Sequence, residues 1–370
     1  MKVCHLTSVH PHTDTRIYVK ECCTLAENGF KVTLIAPNAP NEIINGVHIV
    51  GVDKIEGNRL KRMTQTTDVV YKKALEINAD IYHFHDPELI PVGSKLKKKG
   101  KIVVYDVHED VPRQILSKSW IPKFLRTSIA KLFERYESKA SQKFDAIITA
   151  TMHIEKRFKN YNKETYSINN FPSLKEMEFS FKNSDKIDAV CYVGGITKVR
   201  GAFEIIEMLG NVNQKRDLKL HLAGPIDQKI SEELLNHTNW SYVEYKGVLD
   251  RKDVKEVLSL SKIGLVTLHP IINYLDALPV KMFEYMAAGI PVIASDFPLW
   301  RQIIKKANCG VLVNPLNPTQ IAEAVHELLN DEQKAKTMGE NGRYAVEQEY
   351  NWEKESLKLV QLYKSFERFL

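Results

Sequence analysis

The stretch that decides the fold is Asp276-Ala-Leu-Pro-Val-Lys-Met-Phe-Glu284, which continues as Tyr285-Met-Ala-Ala-Gly-Ile-Pro-Val-Ile-Ala-Ser295. Pro279 suits the first position of a helix, where its missing N–H is not needed. Gly289 suits the left-handed residue that ends a helix. The apolar run that follows predicts a short buried strand. The stretch therefore predicts a loop, a helix at 279–288 and a strand, in the order found in α/β proteins.

The same stretch places three charged side chains around the helix start. Asp276 falls in the loop before the helix, Lys281 in its first turn and Glu284 one turn further on. The first backbone N–H groups of a helix have no partners within it and can bind a phosphate. Lys281 would add a full positive charge, and the two carboxylates would accept hydrogen bonds from hydroxyl groups. This combination predicts a binding site for a sugar nucleotide.

Short apolar runs alternate with amphipathic stretches along the chain, which predicts parallel sheets covered by helices. The first half predicts strands at 2–7, 31–36, 47–51, 80–85, 101–106 and 145–150, and helices at 15–29, 59–78, 88–99, 121–143 and 152–159. The second half predicts strands at 188–194, 218–223, 242–246, 262–267 and 291–294, and helices at 201–213, 228–236, 251–260, 279–288 and 318–330.

We therefore predict two doubly wound, Rossmann-like domains that face a central cleft and bind a ligand at the carboxyl ends of their strands. The predicted domains are residues 1–170 and 171–350. The polar sequence that begins at Phe171 is typical of a linker. Residues 351–370 predict a C-terminal amphipathic helix, which is expected to return to the first domain.

Composition is that of an ordinary globular protein, with 44% hydrophobic and 26% charged residues in a chain of 370. No apolar run approaches the roughly 20 residues that span a membrane. The N-terminus is typical of a first strand rather than of a signal peptide. The five cysteines form no C-x-x-C pair, which favours reduced, buried thiols in a cytoplasmic protein.

The net charge of +6 is distributed unevenly. Residues up to Asn170 include 27 Lys and Arg against 19 Asp and Glu, whereas the remainder includes 25 against 27. We therefore expect the two halves to face different partners.

A glycine turn with two cations follows the first predicted strand of the second half. Gly194 and Gly195 permit a tight turn and close backbone approach, and Lys198 and Arg200 follow closely. A guanidinium can bind a phosphate through two parallel hydrogen bonds. Two glycines alone are typical of any structural turn, but together with the stretch quoted above they favour a diphosphate site. Gly224, after the next strand, is compatible with a plain turn or with a nucleotide contact.

The second half resembles the nucleotide-binding domain of glycosyltransferase family 4, whose members have the two-domain GT-B fold and retain the anomeric configuration. The E-x7-E signature of that family falls on Asp276 and Glu284, with Asp in place of the first Glu. The resemblance extends over nearly the whole chain and includes bacterial enzymes that build capsule, O-antigen and other surface polysaccharides. It implies that Asp276 faces the donor sugar and that Glu284 binds the ribose of the nucleotide.

Two positions depart from the pattern of the family, which usually carries an Arg and a Lys across its glycine turn to neutralise the diphosphate. Here Gly195 stands at the position of that Arg, and Arg200 stands near the position of that Lys. We expect Lys198 or Lys281 to supply the missing charge.

On the acceptor side, a loop rich in polar side chains follows the first predicted strand. It contains His10, His12, Asp14 and Arg16. Surface loops often carry such residues without a role, but imidazole, carboxylate and guanidinium groups together favour a site, and we predict acceptor binding. A metal site is less expected in this loop, because no further His or Cys completes a recognisable ligand pattern.

Two other predicted strands end in histidines and acids. The resemblance implies that His108 touches the transferred sugar, and Glu109 and Asp110 either support it or are solvated. Asp86 is expected to cap the helix that follows it. His83, within a strand, is expected to be structural.

Residues 118–143 combine basic and apolar side chains. A helix that packs one face on its own domain explains such a pattern, but basic and aromatic residues also suit a helix on an anionic bilayer. We favour peripheral contact with the inner face of the cytoplasmic membrane, because the acceptors of many such enzymes are lipid-linked. No nucleic-acid motif is present, so nucleic acid is not an expected partner. The basic residues are Lys118, Lys123, Arg126, Lys131, Arg135, Lys139 and Lys143.

These features together predict a retaining glycosyltransferase that moves a sugar from a nucleotide diphosphate sugar to a hydroxyl of a glycan acceptor. UDP-sugar is favoured over GDP-sugar, and the acceptor is expected to be lipid-linked, in surface polysaccharide biosynthesis such as capsule or lipopolysaccharide. The expected catalytic residues are Asp276, His108, Arg200 and Lys281. The chain has no D-x-D motif, so we expect no obligatory metal and no cofactor.

Two alternatives remain open. A UDP-N-acetylglucosamine 2-epimerase would share the architecture and the donor pocket but would act without an acceptor. A non-catalytic membrane scaffold that binds a nucleotide-sugar would also fit the basic stretch. A dehydrogenase is disfavoured, because no G-x-G-x-x-G follows the first predicted strand.

Overall fold

The structure is a computed structural model that describes residues 1–53, 62–118, 120–176 and 188–369. The chain divides into two compact units, one formed by Met1–Asn170 with Glu353–Leu370 and the other by Phe171–Trp352. Each unit has its own sheet, in which parallel strands alternate with helices along the chain. The predicted α/β class with two doubly wound domains is confirmed.

The sheet of the first unit has eight described strands in the order β3-β4-β2-β1-β5-β6-β7-β8. All its pairings are parallel except the hairpin of β3 and β4, whose turn uses the positive φ angles of Asn45 and Gly46. The neighbouring strands β1, β5 and β6 bring the loops after Leu6, Phe84 and Val107 to one edge. The strands are β1 (Lys2–Leu6), β2 (Lys31–Pro37), β3 (Glu42–Ile44), β4 (Val47–Val52), β5 (Ile81–Phe84), β6 (Ile102–Val107), β7 (Ala146–Thr149) and β8 (Thr165–Ser167).

The helices of the first unit agree with the sequence pattern except for α4, which was not predicted. A wide, π-type helix at Thr15–Cys22 leads directly into α1. The helix predicted at 59–78 falls partly outside the described residues, and its described part is helical from Arg62 to Ile77. The regular helices are α1 (Cys23–Glu27), α2 (Thr67–Ile77), α3 (Ile90–Lys98), α4 (Val111–Ser117), α5 (Lys123–Ser141) and α6 (Met152–Lys159).

The sheet of the second unit is parallel throughout the described residues, in the order β11-β10-β9-β12-β13-β14. Its strands are β9 (Ala189–Val193), β10 (Lys219–Ala223), β11 (Val243–Tyr245), β12 (Ile263–Val266), β13 (Val292–Ser295) and β14 (Gly310–Val313). Its helices are α7 (Ala202–Asn213), α8 (Ser231–Leu235), α9 (Arg251–Leu260), α10 (Ile272–Leu275), α11 (Val280–Ala287), α12 (Pro298–Ala307), α13 (Pro318–Asn330) and α14 (Glu332–Gln348). The sequence pattern did not predict β14, α10, α12 or α14.

The stretch from Asp276 to Ser295 forms the predicted loop, helix and strand. Pro279 precedes α11 as its cap residue, so the helix begins one residue later than predicted. Gly289 has a φ of 63° after the helix, as its left-handed role requires. Tyr285 is fully buried in α11, and its hydroxyl oxygen accepts a hydrogen bond of 2.9 Å from the N–H of Val193. This contact fixes the helix against the end of β9.

The last helix, α15 (Trp352–Ser365), packs with the first unit from Glu353 onward. Glu355 is buried and accepts a hydrogen bond of 2.9 Å from the N–H of Asn169. Tyr363 is also fully buried, and its hydroxyl lies 2.7 Å from Nδ1 of His83 in β5. The prediction that the C-terminal helix returns to the first domain is confirmed.

Candidate active site

Three glycine turns of the second unit leave backbone where side chains would otherwise stand. Gly194 and Gly224, after β9 and β10, have φ angles of 126° and 133°. A Cβ on Gly224 would lie 2.1 Å from the carbonyl oxygen of Gly194, so the two turns touch. Gly201 has a φ of 80°, and a Cβ there would lie 2.3 Å from the carbonyl oxygen of Thr267. Glycine is therefore required at all three positions.

Arg200 and Lys281 approach the Gly194–Gly195 turn. Nη1 of Arg200 donates to the carbonyl oxygen of Gly195 at 3.4 Å. A Cβ on Gly195 would lie 2.8 Å from that Nη1, and a Cβ on Gly194 would lie 3.1 Å from Nζ of Lys281. The two cations thus occupy space that side chains at the turn would fill. Lys198 is exposed on the same turn.

The ammonium group of Lys281 is shielded from water, although the residue as a whole is half-buried. Its Nζ lies 3.4 Å from the centroid of the Tyr192 ring and has no hydrogen-bond partner within the described ranges. Burial, and secondarily the positive charge of Arg200, lower the pKa of Lys281 well below its usual value. An anion at this turn would relieve the repulsion between the two cations.

Glu284 lies on α11, and its carboxylate is nearly buried. Nη1 of Arg251 donates to Oε1 of Glu284 at 2.6 Å, and Nη2 of the same side chain donates to Oε2 of Glu176 at 3.3 Å. Sequence reasoning missed Arg251. The sequence feature that could have indicated Arg251 is its position at the start of α9, directly after Asp250, whose side chain caps that helix.

Asp276 is exposed in the loop between α10 and α11. The neighbouring carbonyl of Ala277 accepts a hydrogen bond of 2.7 Å from the indole N–H of Trp300, which is fully buried. The hydrogen bond from Trp300 therefore supports the loop that carries Asp276.

A histidine that the sequence analysis did not single out lies near the glycine turns. His269 follows β12, and its Nε2 lies 3.0 Å from Oε1 of Glu204 on α7. The N–H of His269 also donates to the carbonyl oxygen of Val199 at 3.0 Å. Its signal in the sequence was a polar residue just beyond an apolar strand, where ligands bind in parallel sheets.

The end of β1 in the first unit is tied to the loop after β5 through Asp86. Its Oδ2 accepts hydrogen bonds from Oγ1 of Thr7 at 2.8 Å and from the N–H of Ser8 at 2.6 Å. The expectation that Asp86 caps the following helix is wrong, because its side chain makes no capping hydrogen bond there. The stronger partners across the sheet edge take its carboxylate.

His10 stands between two carboxylates at this edge. Its Nδ1 lies 3.3 Å from Oδ2 of Asp14, and its Nε2 lies 3.4 Å from Oδ1 of Asp86. The hydrogen bond to Asp14 raises the pKa of His10. Burial opposes ionisation of Asp14, but hydrogen bonds from His10 and from the N–H of Ile17 lower the pKa of that carboxyl. His12 is half-buried in the same loop.

Asp106, at the end of β6, is a second residue that sequence reasoning did not assign. Its carboxylate is fully buried and accepts hydrogen bonds from Nε of Arg16 at 2.9 Å and from Nη2 of Arg16 at 2.8 Å. Nε2 of His108 lies 2.8 Å from Oδ2 of Asp106. Burial alone would raise the pKa of Asp106, but Arg16 and then His108 hold it well below its usual value. Its signal was its place two residues before His108.

The structure places the four predicted acceptor-side residues and His108 at one edge of the first sheet, but at different depths. The rings of His10 and His108 lie 5.4 Å apart between centroids. Arg16 lies beneath, nearly fully buried, and its Nη1 also donates to the carbonyl oxygen of Ile168 at 2.9 Å. We therefore expect Arg16 to position Asp106 and His108 rather than to contact an acceptor.

Helix α5 exposes large apolar side chains. Phe124 is 82% exposed, Leu132 70% exposed, and Trp120, just before the helix, 64% exposed. The buried residues of α5 are Ala130, Glu137, Ala140 and Ser141. Among the described residues, no helix is both long enough and apolar enough to cross a membrane.

Comparison with known proteins identifies the family of the chain. The family of glycosyl transferases group 1 matches residues 174–345, and Glycosyltransferase Family 4 matches residues 17–170. An uncharacterized glycosyltransferase of Methanocaldococcus jannaschii is 23% identical over an alignment that covers 98% of each chain. The capsular polysaccharide biosynthesis glycosyltransferase CapM of Staphylococcus aureus is 25% identical, over 47% of this chain and 45% of its own length.

Solved structures share the fold. Sucrose-phosphate synthase of Thermosynechococcus elongatus has a TM-score of 0.80 at 20% identity, over 100% of this chain and 99% of that chain. HepE of Anabaena in complex with UDP-glucose has a TM-score of 0.74 at 14% identity, over 99% of this chain and 100% of that chain. The shared fold and the family matches therefore define a glycosyltransferase with the GT-B fold. The chain belongs to glycosyltransferase family 4.

Proposed function

We propose that this glycosyltransferase moves a sugar, with retention of anomeric configuration, from a UDP-sugar to a hydroxyl of a lipid-linked glycan. The observation that carries the donor side of the proposal is the convergence of Arg200 and Lys281 on the Gly194–Gly195 turn. Two cations beside bare backbone match a diphosphate in charge and in space. The UDP-glucose complex of HepE, which shares the fold, favours UDP as the nucleotide.

The donor would lie along the carboxyl ends of the strands of the second unit. Arg200 and Lys281 would bind the diphosphate, with Lys198 at the exposed side of the turn and Gly224 giving the nucleotide close access to the backbone. Lys281 thereby supplies the charge that Gly195 lacks. Glu284 would contact the ribose, and Asp276 would contact the sugar.

Transfer breaks the bond between the anomeric carbon and the diphosphate oxygen, and forms a bond from the same carbon to the acceptor oxygen. Negative charge grows on the leaving diphosphate, where Arg200 and Lys281 would stabilise it. Preorganised groups of this kind are each worth about 3–4 kcal/mol of the barrier. We infer attack from the face of the departing diphosphate, whose oxygen accepts the proton of the acceptor hydroxyl. This route requires no metal and no cofactor.

The acceptor would bind at the edge of the first sheet. His10, His12 and Asp14 would offer hydrogen-bond partners to hydroxyl groups. His108, whose Nε2 lies 2.8 Å from Oδ2 of Asp106, would touch the transferred sugar. The exposed apolar side chains of α5, set among its basic residues, would rest on an anionic cytoplasmic membrane surface, where a lipid-linked acceptor is found. The relation to CapM supports a role in surface polysaccharide synthesis.

A panel of UDP-, GDP- and ADP-sugars tests the donor. We expect UDP-sugars to raise the melting temperature most, and Arg200→Ala and Lys281→Met to remove that shift while the unliganded proteins melt normally. Arg301→Ala is the matched control, because Arg301 lies in a surface pair with Asp296. Equal shifts in Arg200→Ala and in wild type would contradict the proposed diphosphate site.

Incubation with donor alone separates transfer from epimerisation. We expect slow hydrolysis at most, and no epimer of the donor sugar. An epimer would replace the transferase proposal with the epimerase alternative. Binding of donor without turnover, even with a panel of lipid-linked acceptors, would instead favour a scaffold.

A further inference from the structure

A cluster of three histidines and one glutamate lies inside the first unit, beneath the acceptor loop. His5 on β1 pairs in register with His83 on β5, and His85 follows two residues later. Side chains two apart along a strand share one face of the sheet, so all three imidazoles point the same way. Glu21 reaches them from the π-type helix. All four side chains are buried, with exposures of 0 to 2%.

The four residues can each offer one ligand atom, and these atoms all lie within 4.8 Å of one another. Nδ1 of His5 lies 3.0 Å from Nε2 of His85 and 4.0 Å from Oε2 of Glu21. Nε2 of His83 lies 3.8 Å from the same Oε2. Ligands at zinc–nitrogen distances in a tetrahedral site stand about 3.3 Å apart. The ligand atoms would therefore have to approach one another by up to about 1.5 Å to reach that geometry.

Protein groups leave several of these atoms unsatisfied. Within the described part of the chain, Nε2 of His5, Nε2 of His83 and Oε2 of Glu21 lack a hydrogen-bond partner. Buried polar atoms without partners are rare, because each costs about 1–3 kcal/mol. Two of these residues point their unsatisfied atoms at each other, His83 through Nε2 and Glu21 through Oε2. This arrangement leaves lone pairs that could bind a cation.

A second set of residues holds the ligands in place. Asp106 lies 3.1 Å from Nδ1 of His85, and the hydroxyl of Tyr363 lies 2.7 Å from Nδ1 of His83. With these Nδ1 atoms protonated, Nε2 of each ring carries the lone pair that faces the cluster. Nε of Arg16 lies 3.3 Å from Oε1 of Glu21, which leaves Oε2 as the free carboxylate oxygen.

We propose that His5, Glu21, His83 and His85 bind a divalent transition-metal ion, for which zinc is the best match. Three imidazoles and one carboxylate are the nitrogen and oxygen ligands that zinc takes in proteins. Four protein ligands close the coordination sphere, so the ion is structural and takes no part in sugar transfer.

The site would join elements that are distant in sequence. Glu21 belongs to the helix that begins at the acceptor loop, His5 and His83 belong to the central strands, and Tyr363 belongs to the C-terminal helix. A bound ion would fix the base of the acceptor loop to the sheet. The free energy of metal binding then adds directly to the stability of the first unit.

Metal content tests the assignment. We expect the full-length protein, purified without chelator and dialysed, to hold about one zinc per chain, and Glu21→Gln and His83→Gln to hold less than about a tenth of that. His48→Ala is the control, because His48 is an exposed histidine on β4, and it should keep its zinc. Wild-type protein without zinc after growth in zinc-supplemented medium would overturn the proposal.

One competing site shares a ligand with this cluster, because His85, Asp106 and His108 can also approach a common ion. Loss of zinc from His108→Ala with full retention in Glu21→Gln would overturn the proposal in favour of that site. Measurements on wild-type protein cover the case in which the variants do not fold. After removal of metal with a chelator, zinc chloride alone should raise the melting temperature, and cobalt should give the strong visible absorption of a tetrahedral site. Neither response would be expected from a metal-free hydrogen-bond cluster, and their absence refutes the site.

Discussion

Arg251 binds Glu284 through a hydrogen bond of 2.6 Å between Nη1 and Oε1. The two residues come from α9 and α11, which flank β12 in sequence, and the hydrogen bond uses Oε1 of the carboxylate. A charge-assisted hydrogen bond of this kind fixes the orientation of a carboxylate. We infer that Arg251 holds Glu284 ready for the ribose hydroxyl groups.

Glu284→Gln should lower kcat/KM for the donor by about tenfold to a hundredfold, because a charged acceptor is worth about 1.5–3 kcal/mol in a hydrogen bond. Arg251→Met should raise the donor KM by a smaller factor. The double variant should lose less than the product of the two effects, because the residues act as a pair. Initial rates against donor concentration measure all three, with Arg301→Met as control. Independent, multiplying effects would contradict the pairing.

Lys281 makes donor binding depend on pH. Its pKa is lowered by burial and by Arg200, and a diphosphate would stabilise the charged form and raise that pKa again. Donor binding should therefore take up protons, and affinity should fall as pH rises through the pKa of the unliganded protein. Calorimetry with a UDP-sugar in buffers of different ionisation enthalpy measures this uptake.

Lys281→Met should lose the proton uptake and about tenfold to a hundredfold in affinity at neutral pH. The pH dependence of folding stability has the opposite sign. The unfolded chain binds the proton of Lys281 more tightly than the folded chain does. The destabilisation caused by Lys281 is therefore present at neutral pH and disappears as the pH rises toward the pKa of free lysine. Lys306→Met is the control, since Lys306 pairs with Glu349 at the surface. Unchanged proton uptake in Lys281→Met would assign the effect to another group.

Local sequence signals were sufficient for much of the fold. Pro279 and Gly289 bound α11 to within one residue, because both act through backbone geometry within a few residues. For the glycine turn, the sequence predicted only that Lys198 or Lys281 would supply the missing positive charge. The structure adds that Nζ of Lys281 reaches the turn itself.

Contacts between distant elements were beyond local reasoning. Asp86 looked like a helix cap, but Thr7 and Ser8, nearly eighty residues earlier, take its carboxylate. Arg251 and Asp106 lie next to ordinary turns and strand ends, and only the folded sheet shows which side chains they meet. The register of β1 against β5, which aligns His5 with His83, is likewise set by tertiary packing.

Trp300 supports the loop that carries Asp276, through its 2.7 Å hydrogen bond to the carbonyl of Ala277. Trp300→Phe should lower the free energy of unfolding by about 1–3 kcal/mol, because it leaves a buried carbonyl unpaired and a smaller ring in the core. The loosened loop should also raise the donor KM. Urea unfolding and donor kinetics measure the two effects. Trp240→Phe, on a half-buried tryptophan elsewhere in the unit, should leave KM unchanged, and an equal rise in both variants would count against a specific role for Trp300.

The apolar face of α5 predicts binding to anionic vesicles. Phe124 and Leu132 are eight residues apart and therefore on one side of the helix. Transfer of each side chain from water into lipid is favourable by about 1.5–3 kcal/mol. Phe124→Ser with Leu132→Ser should reduce flotation with phosphatidylglycerol vesicles at least tenfold, by about the same factor at low and high salt, because the basic residues remain. Tyr344→Ser with Leu357→Ser is the matched control, because these side chains are 66% and 63% exposed elsewhere. If the control pair reduces flotation equally, or if wild-type protein floats as well with neutral phosphatidylcholine, the contact is not the one that α5 and its lysines provide. A loss confined to the α5 variant, with donor binding unchanged, would assign membrane contact to this helix and leave the donor site independent of it.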